Sequence, residues 1–274
     1  MRIGIQSAQL GPLADPAAIR SVAVAAEQLG YASLWVVDRL PTLDPVAVLG
    51  SLAAVTTRIR IGSGVLVAPW YRPALLARTL TSLDVLSEGR LDVGLGVGRS
   101  DDERRVLGVP DHALGRRLEE ALDVLDAQWL DGAQPDLRPV QRPRPPVLLA
   151  AHAPSGLDRV ARRADGWMPA GLPVDGLARM WADLQDRTAR HGRDPETLRL
   201  VVRADIELAD RPLGADRPSY HGTIEQVVDD VAATRRAGAH EVVLGLSEPV
   251  GVDQVLDACA RIAEGVGLDV TPAP

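Results

Sequence analysis

Few side chains in this 274-residue sequence are equipped for chemistry, and those few are dispersed. The five histidines, His112, His152, His191, His221 and His240, lie far apart, and no HExxH, CxxC or HxH spacing gathers metal ligands, so no metal site is expected. The single cysteine, Cys259, falls in the helical stretch VLDACARIAEGV and reads as a small buried residue. There is no GxSxG nucleophile turn and no GxxxxGK phosphate loop. Lysine is absent altogether, so all 30 basic residues are arginine. Schiff-base and pyridoxal-phosphate chemistry need a lysine amine and are excluded. What remains are places suited to an anion. In HAPSG (His152–Gly156), Ser155 is placed to cap a helix, Gly156 permits close approach, and the helix start favours negative charge. In GLGVG (Gly94–Gly98) the third glycine of a dinucleotide fingerprint is replaced by Arg99. Arg39 and Arg99 are permanently charged; neither can act as a base, but either can hold an anion.

These residues need a scaffold, and the sequence alternates short β-branched runs with amphipathic stretches. Strands are predicted at Arg2–Gln6, Ser33–Val37, Ile59–Leu66, Leu91–Leu95, Val147–Ala151, Gly166–Met168, Leu198–Ile206 and Glu241–Leu246. Helices are predicted near Asp15–Leu29, Pro45–Thr56, Pro73–Leu86, His112–Leu130, from Ser155, Val174–His191, Thr223–Gly238 and Val252–Gly265. Leu114, Leu118, Leu122, Leu125 and Trp129 form one apolar stripe with Arg116, Glu119 and Glu120 facing out. Strands such as VLLAA and VVLGL are apolar throughout, as expected when both faces are covered. Eight strand–helix units favour an α/β (β/α)₈ TIM barrel over an open sheet, as a single domain spanning residues 1–274. A barrel gathers the C-terminal strand ends: Gln6 and Ser7, Asp38 and Arg39, Gly64 and Val65, Gly96 to Arg99, Ala151 and His152, Trp167 and Met168, Asp205, and Ser247 with Glu248. Trp35 and Trp129 read as barrel–helix packing; Trp70 and Trp167 are pocket-wall candidates.

The bulk numbers bound the partners. A formal charge of -7 speaks against nucleic acid, which requires a basic footprint. No apolar run approaches the ~20 residues a membrane helix needs. The start, MRIGIQSAQL, reads as a first strand rather than a signal peptide, so a cytoplasmic protein with no membrane partner is expected.

Six blocks occur in an order that resembles the luciferase-like monooxygenase family. They are AAEQLGYASLWVVD, TTRIRIGSGVLVAP, RPALLARTLTSLDVLSEGRLDVGLGVG, GVPDHALGRRLEEALDVLDAQW, RPRPPVLLAAHAPSGLDRVARRADGWMP and, more loosely, HGTIEQVVDDVAATRRAGAHEVVL. The resemblance implies a TIM barrel, often a homodimer, that binds coenzyme F420 or FMN. The arginine-rich, lysine-free composition favours the deazaflavin F420.

The resemblance also implies roles. Gly64–Val65 would form a non-prolyl cis peptide and bulge against which a tricyclic ring lies, with Gly62 and Gly64 clearing its approach; Gly96, Val97 and Ala151 would complete the bed. His152, Ser155 and Gly156 would hold the phosphate. Asp38 matches the family's strand-two acid and would touch the flavin edge or the substrate. Asp38 and His152 are the acid–base candidates; Arg39, Arg99, Trp70 and Trp167 are candidates for substrate or anion binding. Many deazaflavin members carry histidine where this chain has Arg39, and its sugar-phosphate dehydrogenases carry an acid where it has Arg99, so glucose-6-phosphate oxidation by that mechanism is not expected. The expected activity is hydride transfer between F420 or FMN and a small organic substrate. Two alternatives stand beside it: a barrel that keeps the cofactor pocket as a carrier or sensor, and a cofactor-free lyase or isomerase.

Overall fold

The computed structural model describes residues 1–6, 9, 13–132, 136–246 and 251–268, the side chain of residue 111 excepted. Ser7, Ser247 and Glu248, which the sequence places at strand ends, lie outside the described residues. The strands are β1 (Arg2–Gln6), β2 (Ser33–Val36), β3 (Arg60–Ser63), β4 (Leu66–Val67), β5 (Leu91–Gly96), β6 (Val147–Leu149), β7 (Gly166–Trp167), β8 (Arg199–Leu208), β9 (His221–Gly222) and β10 (Glu241–Leu246). The helices are α1 (Pro16–Gln28), α2 (Pro45–Val55), α3 (Pro73–Leu86), α4 (Asp101–Val106), α5 (Leu114–Trp129), α6 (Pro154–Arg163), α7 (Val174–Arg190), α8 (Ile224–Arg236) and α9 (Val252–Gly265).

Every strand pairing among the described residues is parallel, and β10 pairs with both β1 and β8, closing the sheet into a barrel. Eight staves make it up, because β3 and β4 are two halves of one stave against β5. Gly62 stands opposite Asp92 but Leu66 opposite Leu95, so the stave carries one extra residue at the break, a β-bulge. The Gly64–Val65 peptide in that bulge is cis. The sequence predicts one unbroken strand over Ile59–Leu66; periodicity carries no mark of a bulge.

Local chemistry sets the helices. Asp15 accepts from the amides of Ala17 (2.9 Å) and Ala18 (3.0 Å), with Pro16 in the first turn, to start α1. Thr223 and Gln226 cap α8 reciprocally. Along α5, Leu118, Leu122, Leu125 and Trp129 are buried, but the helix begins at Leu114, two residues later than predicted, after a 3₁₀ turn. The short α4 went unpredicted; Ser100 caps it at the Glu103 amide (3.2 Å). No helix among the described residues is long and apolar enough to cross a membrane.

The barrel interior is layered. At the amino-terminal end, the fully buried carboxylates of Asp92 and Glu241 meet Arg60 (2.7 Å) and Arg199 (2.9 and 3.2 Å), and Arg2 reaches Glu241 at 2.9 Å. Buried charge is tolerated when paired in this way. Above it Trp35, Leu148, Met168, Val201 and Val243 fill the lumen. Trp35 therefore packs inside the barrel and not between barrel and helices; its indole Nε1 donates to Ser33 Oγ at 2.7 Å. The ring also accounts for Gly62, where a Cβ would lie 2.5 Å from Trp35. Gly62 makes room for a tryptophan of the chain itself rather than for a ligand. The third layer, at the carboxyl ends of the strands, is open.

Candidate active site

Two adjoining chambers occupy the open end, of about 530 and 460 Å³, and share Gly64, Val65, Gly98, Arg99 and Arg203. The first is mainly apolar: Gly64, Val65, Gly96, Val97, Ala150, Ala151 and Met168 line it, and it runs to His152, Ser155, Gly156 and Arg159 at the start of α6. The second is polar, lined by Gln6, Asp38, Arg39, Arg99, Glu103, Arg203 and Asp205.

At the head of α6 the helix begins at Pro154, and Ala153 in the cap position has no side-chain hydrogen bond. Ser155 therefore does not cap, contrary to the sequence expectation: Pro154 is already fixed at the first helical position, which moves Ser155 into the first turn. The consequence is a helix start whose first amides, those of His152, Ala153 and Ser155, find no protein acceptor among the described residues. Such amides suit an anion. Arg159 stands one turn on, held by Glu119 Oε1 at 2.8 Å. The His152 imidazole is lowered from its ordinary pKa by desolvation against the wall and by the Arg99 guanidinium.

Asp38 is the focus of the polar chamber. Its Oδ2 accepts from the Val67 amide (3.0 Å) and from the Tyr71 hydroxyl (2.9 Å), leaving Oδ1 without a protein partner among the described residues. Desolvation raises its pKa to about 6, against the opposing pull of those two donors, with Asp44 and Glu103 adding to the rise. The loop that carries it is pinned. Gln9 accepts from the Val37 amide (2.7 Å) and donates to the Leu43 carbonyl (3.2 Å), and Glu103 on α4 accepts from the Leu40 amide (3.1 Å). Arg39 and Arg99 are exposed at the chamber rim. Arg203, on the inner face of β8, donates to the Gly64 carbonyl at 2.9 Å.

The structure thus brings together Asp38, Arg39, Gly64, Val65, Gly96, Val97, Arg99, Ala151, His152, Ser155 and Gly156. It does not bring Trp70 or Trp167 to either chamber. Trp167 is fully buried on the outer side of β7, its Nε1 donating to the Ala151 carbonyl at 2.9 Å. The two-residue β7 turns Gly166 and Met168 inward, so Trp167 faces the helices. Trp70 sits in the 3₁₀ turn after β4, half-buried. Tyr71, Glu103 and Arg203 are site residues that sequence reasoning missed. Only Arg203 left a trace: it interrupts the apolar run LVVRADI at an inward position, two residues before the strand-end Asp205 on the same face.

A closed parallel barrel with its cleft at the carboxyl ends of the strands defines the class: a (β/α)₈ enzyme scaffold. The family follows from sequence comparison. A model of the luciferase-like monooxygenase family matches residues 2–241, and the chain belongs to that family of oxidoreductases. An uncharacterized protein of Mycobacterium tuberculosis is 37% identical over 226 residues, covering 74% of this chain and 78% of the relative. Among solved structures, monooxygenase RslO1 from Streptomyces bottropensis superposes with TM-score 0.83 at 20% identity, covering 97% of this chain and 98% of the other. The coenzyme F420-dependent tetrahydromethanopterin reductase from Methanopyrus kandleri gives TM-score 0.81 at 19% identity, with the same coverage. At that identity the two structures speak for the fold.

Proposed function

We propose that the apolar chamber seats the tricyclic ring of coenzyme F420 or FMN, F420 being favoured, and that the polar chamber presents a small organic substrate to it for hydride transfer. The residues present fit such a group. A flat ring needs a bed free of bulky side chains, which Gly64, Val65, Gly96, Val97 and Ala151 supply, and a phosphate needs donors, which the bare amides at α6 and Arg159 supply. F420 carries a more acidic tail than FMN, and Arg99 and Arg159 line the same chamber. When bound, the cofactor supplies the hydride chemistry; the protein contributes binding, orientation and exclusion of water.

Asp38 is the proposed proton donor or acceptor. Held by Tyr71 and the Val67 amide, and raised to about 6, it can exchange a proton near neutral pH through its free Oδ1. Arg39, where many deazaflavin members have histidine, cannot take that part. His152 lies at the α6 end and is better placed to steady the phosphate than to serve the substrate. A soluble homodimer fits the exposed Leu75, Val85 and Leu86 of α3, which are 48%, 43% and 65% accessible.

One observation carries this reading: an apolar bed ending at donor-rich amides adjoins a polar chamber built round a desolvated carboxyl. Fluorescence-quenching titration of the purified protein with F420 and with FMN tests it. Saturable binding of one of them is expected, and binding of neither overturns it.

A further inference from the structure

Arginines along the barrel lumen are treated differently at its two ends. Arg60 and Arg199, at the closed end, are tied to Asp92 and Glu241 by hydrogen bonds of 2.7 to 3.2 Å. Arg203, at the open end, has no such partner. A guanidinium carries five N–H donors. Arg203 has one hydrogen bond, to the Gly64 carbonyl at 2.9 Å, and its nearest carboxylate, Asp205, is 3.8 Å away and itself 49% exposed. Its Nε is buried without a partner. The Gly64 bond fixes the plane of the guanidinium, and the group lines the floor of both chambers.

Charge at the rim points the same way. Arg39 and Arg99 border the polar chamber, and neither makes a side-chain hydrogen bond or ion pair among the described residues. Three acids line the same chamber: Glu103 is engaged by the Leu40 amide, Asp38 by Tyr71 and Val67, and Asp205 stands 3.8 Å from Arg203. A neutral, apolar substrate would leave the guanidinium with one carbonyl and a carboxylate beyond hydrogen-bond distance, and its buried Nε–H unsatisfied, at a cost in binding; an oxyanion would pair with it and with the rim.

We propose that Arg203 is a specificity-determining residue that binds the oxyanion of the substrate, a carboxylate or a phosphate group, and so makes the polar chamber selective for small anions. The proposal rests on the reading of that chamber as the substrate side. Fixed by the Gly64 carbonyl, Arg203 presents its remaining donors without reordering, while Arg39 and Arg99 add long-range attraction at the mouth.

The test uses the full chain without cofactor. Acetate and inorganic phosphate are titrated separately while the Arg203 Nε–H signal is followed by nitrogen-15 NMR, assigned through its loss in R203K. A saturable shift of that signal is expected with at least one anion, and which anion gives it separates carboxylate from phosphate recognition. R203Q is expected to bind that anion about tenfold more weakly or worse, and R203K, which keeps the charge but not the fork, several-fold more weakly. An Arg203 signal unmoved by either anion overturns the proposal, even where phosphate binds elsewhere, as at the α6 amides. Equal affinity in R203Q and the parent also overturns it. Because no cofactor is present, anion binding at Arg203 alongside failure of both F420 and FMN to bind would strike the proposed function and leave this assignment standing; the opposite pair of results would do the reverse.

Discussion

Asp38 shows how neighbours change the chemistry of one side chain. As an isolated carboxyl it would be ionised at pH 5; desolvation raises it to about 6, even with Tyr71 and Val67 donating to one oxygen. Two predictions follow from the sign of that shift. If the proposed hydride transfer uses Asp38, its rate should show an ionisation near pH 6 that vanishes in Asp38→Asn, together with a fall of ~10²–10⁴-fold in turnover; pH–rate profiles of both proteins check this. Stability should move the other way. A raised carboxyl pKa means the folded state keeps its proton between about pH 4 and 6 while the unfolded chain loses it. Asp38 therefore contributes most stability below pH 4, and that contribution declines as pH rises through 6. Asp38→Asn should accordingly be more stable than the parent at pH 8 by about 1–2 kcal/mol, with the difference shrinking towards pH 4 in urea denaturation. Asp38 was legible from its place at a strand end and from the family's pattern. Tyr71 and Arg203 were not, because their roles come from contacts 33 and 139 residues away in the chain, which local spacing cannot register.

At the scale of elements, the bulged stave formed by β3 and β4 decides where the site lies. Its extra residue shifts the register against β5 and brings Gly64 and Val65 to the wall between the two chambers. The two nearby glycines serve different ends. A Cβ at Gly62 would meet the Trp35 ring at 2.5 Å, inside a lumen with no slack. Gly62→Ala should thus cost about 1–3 kcal/mol of stability through overpacking, measured by thermal or urea unfolding. Little change would show that Trp35 can move aside. Eight strand–helix units were legible in the alternation of apolar runs because each element must cover its own hydrophobic face. The bulge, the bare start of α6 and the six-residue α4 were not. The first two turn on backbone geometry at single residues, and α4 has no buried face to leave an apolar stripe. Inner and outer faces were also hidden, since β2 is buried on both sides and Trp35 gives no sign of which it faces.

Among the described residues the barrel is closed at its amino-terminal end by a layer of paired charges and opens at the carboxyl ends of the strands into two chambers. The seal depends on Asp92, whose carboxyl is held below its ordinary pKa: burial opposes this, but the Arg60 and Arg199 guanidiniums prevail. A lowered pKa means that the stabilising contribution is present above the unfolded carboxylate range and is lost as pH falls through and below it. Asp92→Ala would leave Arg60 without its carboxylate and Arg199 with Glu241 alone, and should lower stability by about 3–5 kcal/mol at neutral pH, checked by urea denaturation. At this scale the account's central claim is that the open end holds a flat cofactor in the apolar chamber. The most direct measurement is the quenching titration with F420 and FMN, repeated on Val97→Trp, whose indole would fill the bed, with circular dichroism confirming the fold. The account predicts saturable binding to the parent protein and at least ~100-fold weaker binding to the filled variant. Equal binding by the two folded proteins would contradict it.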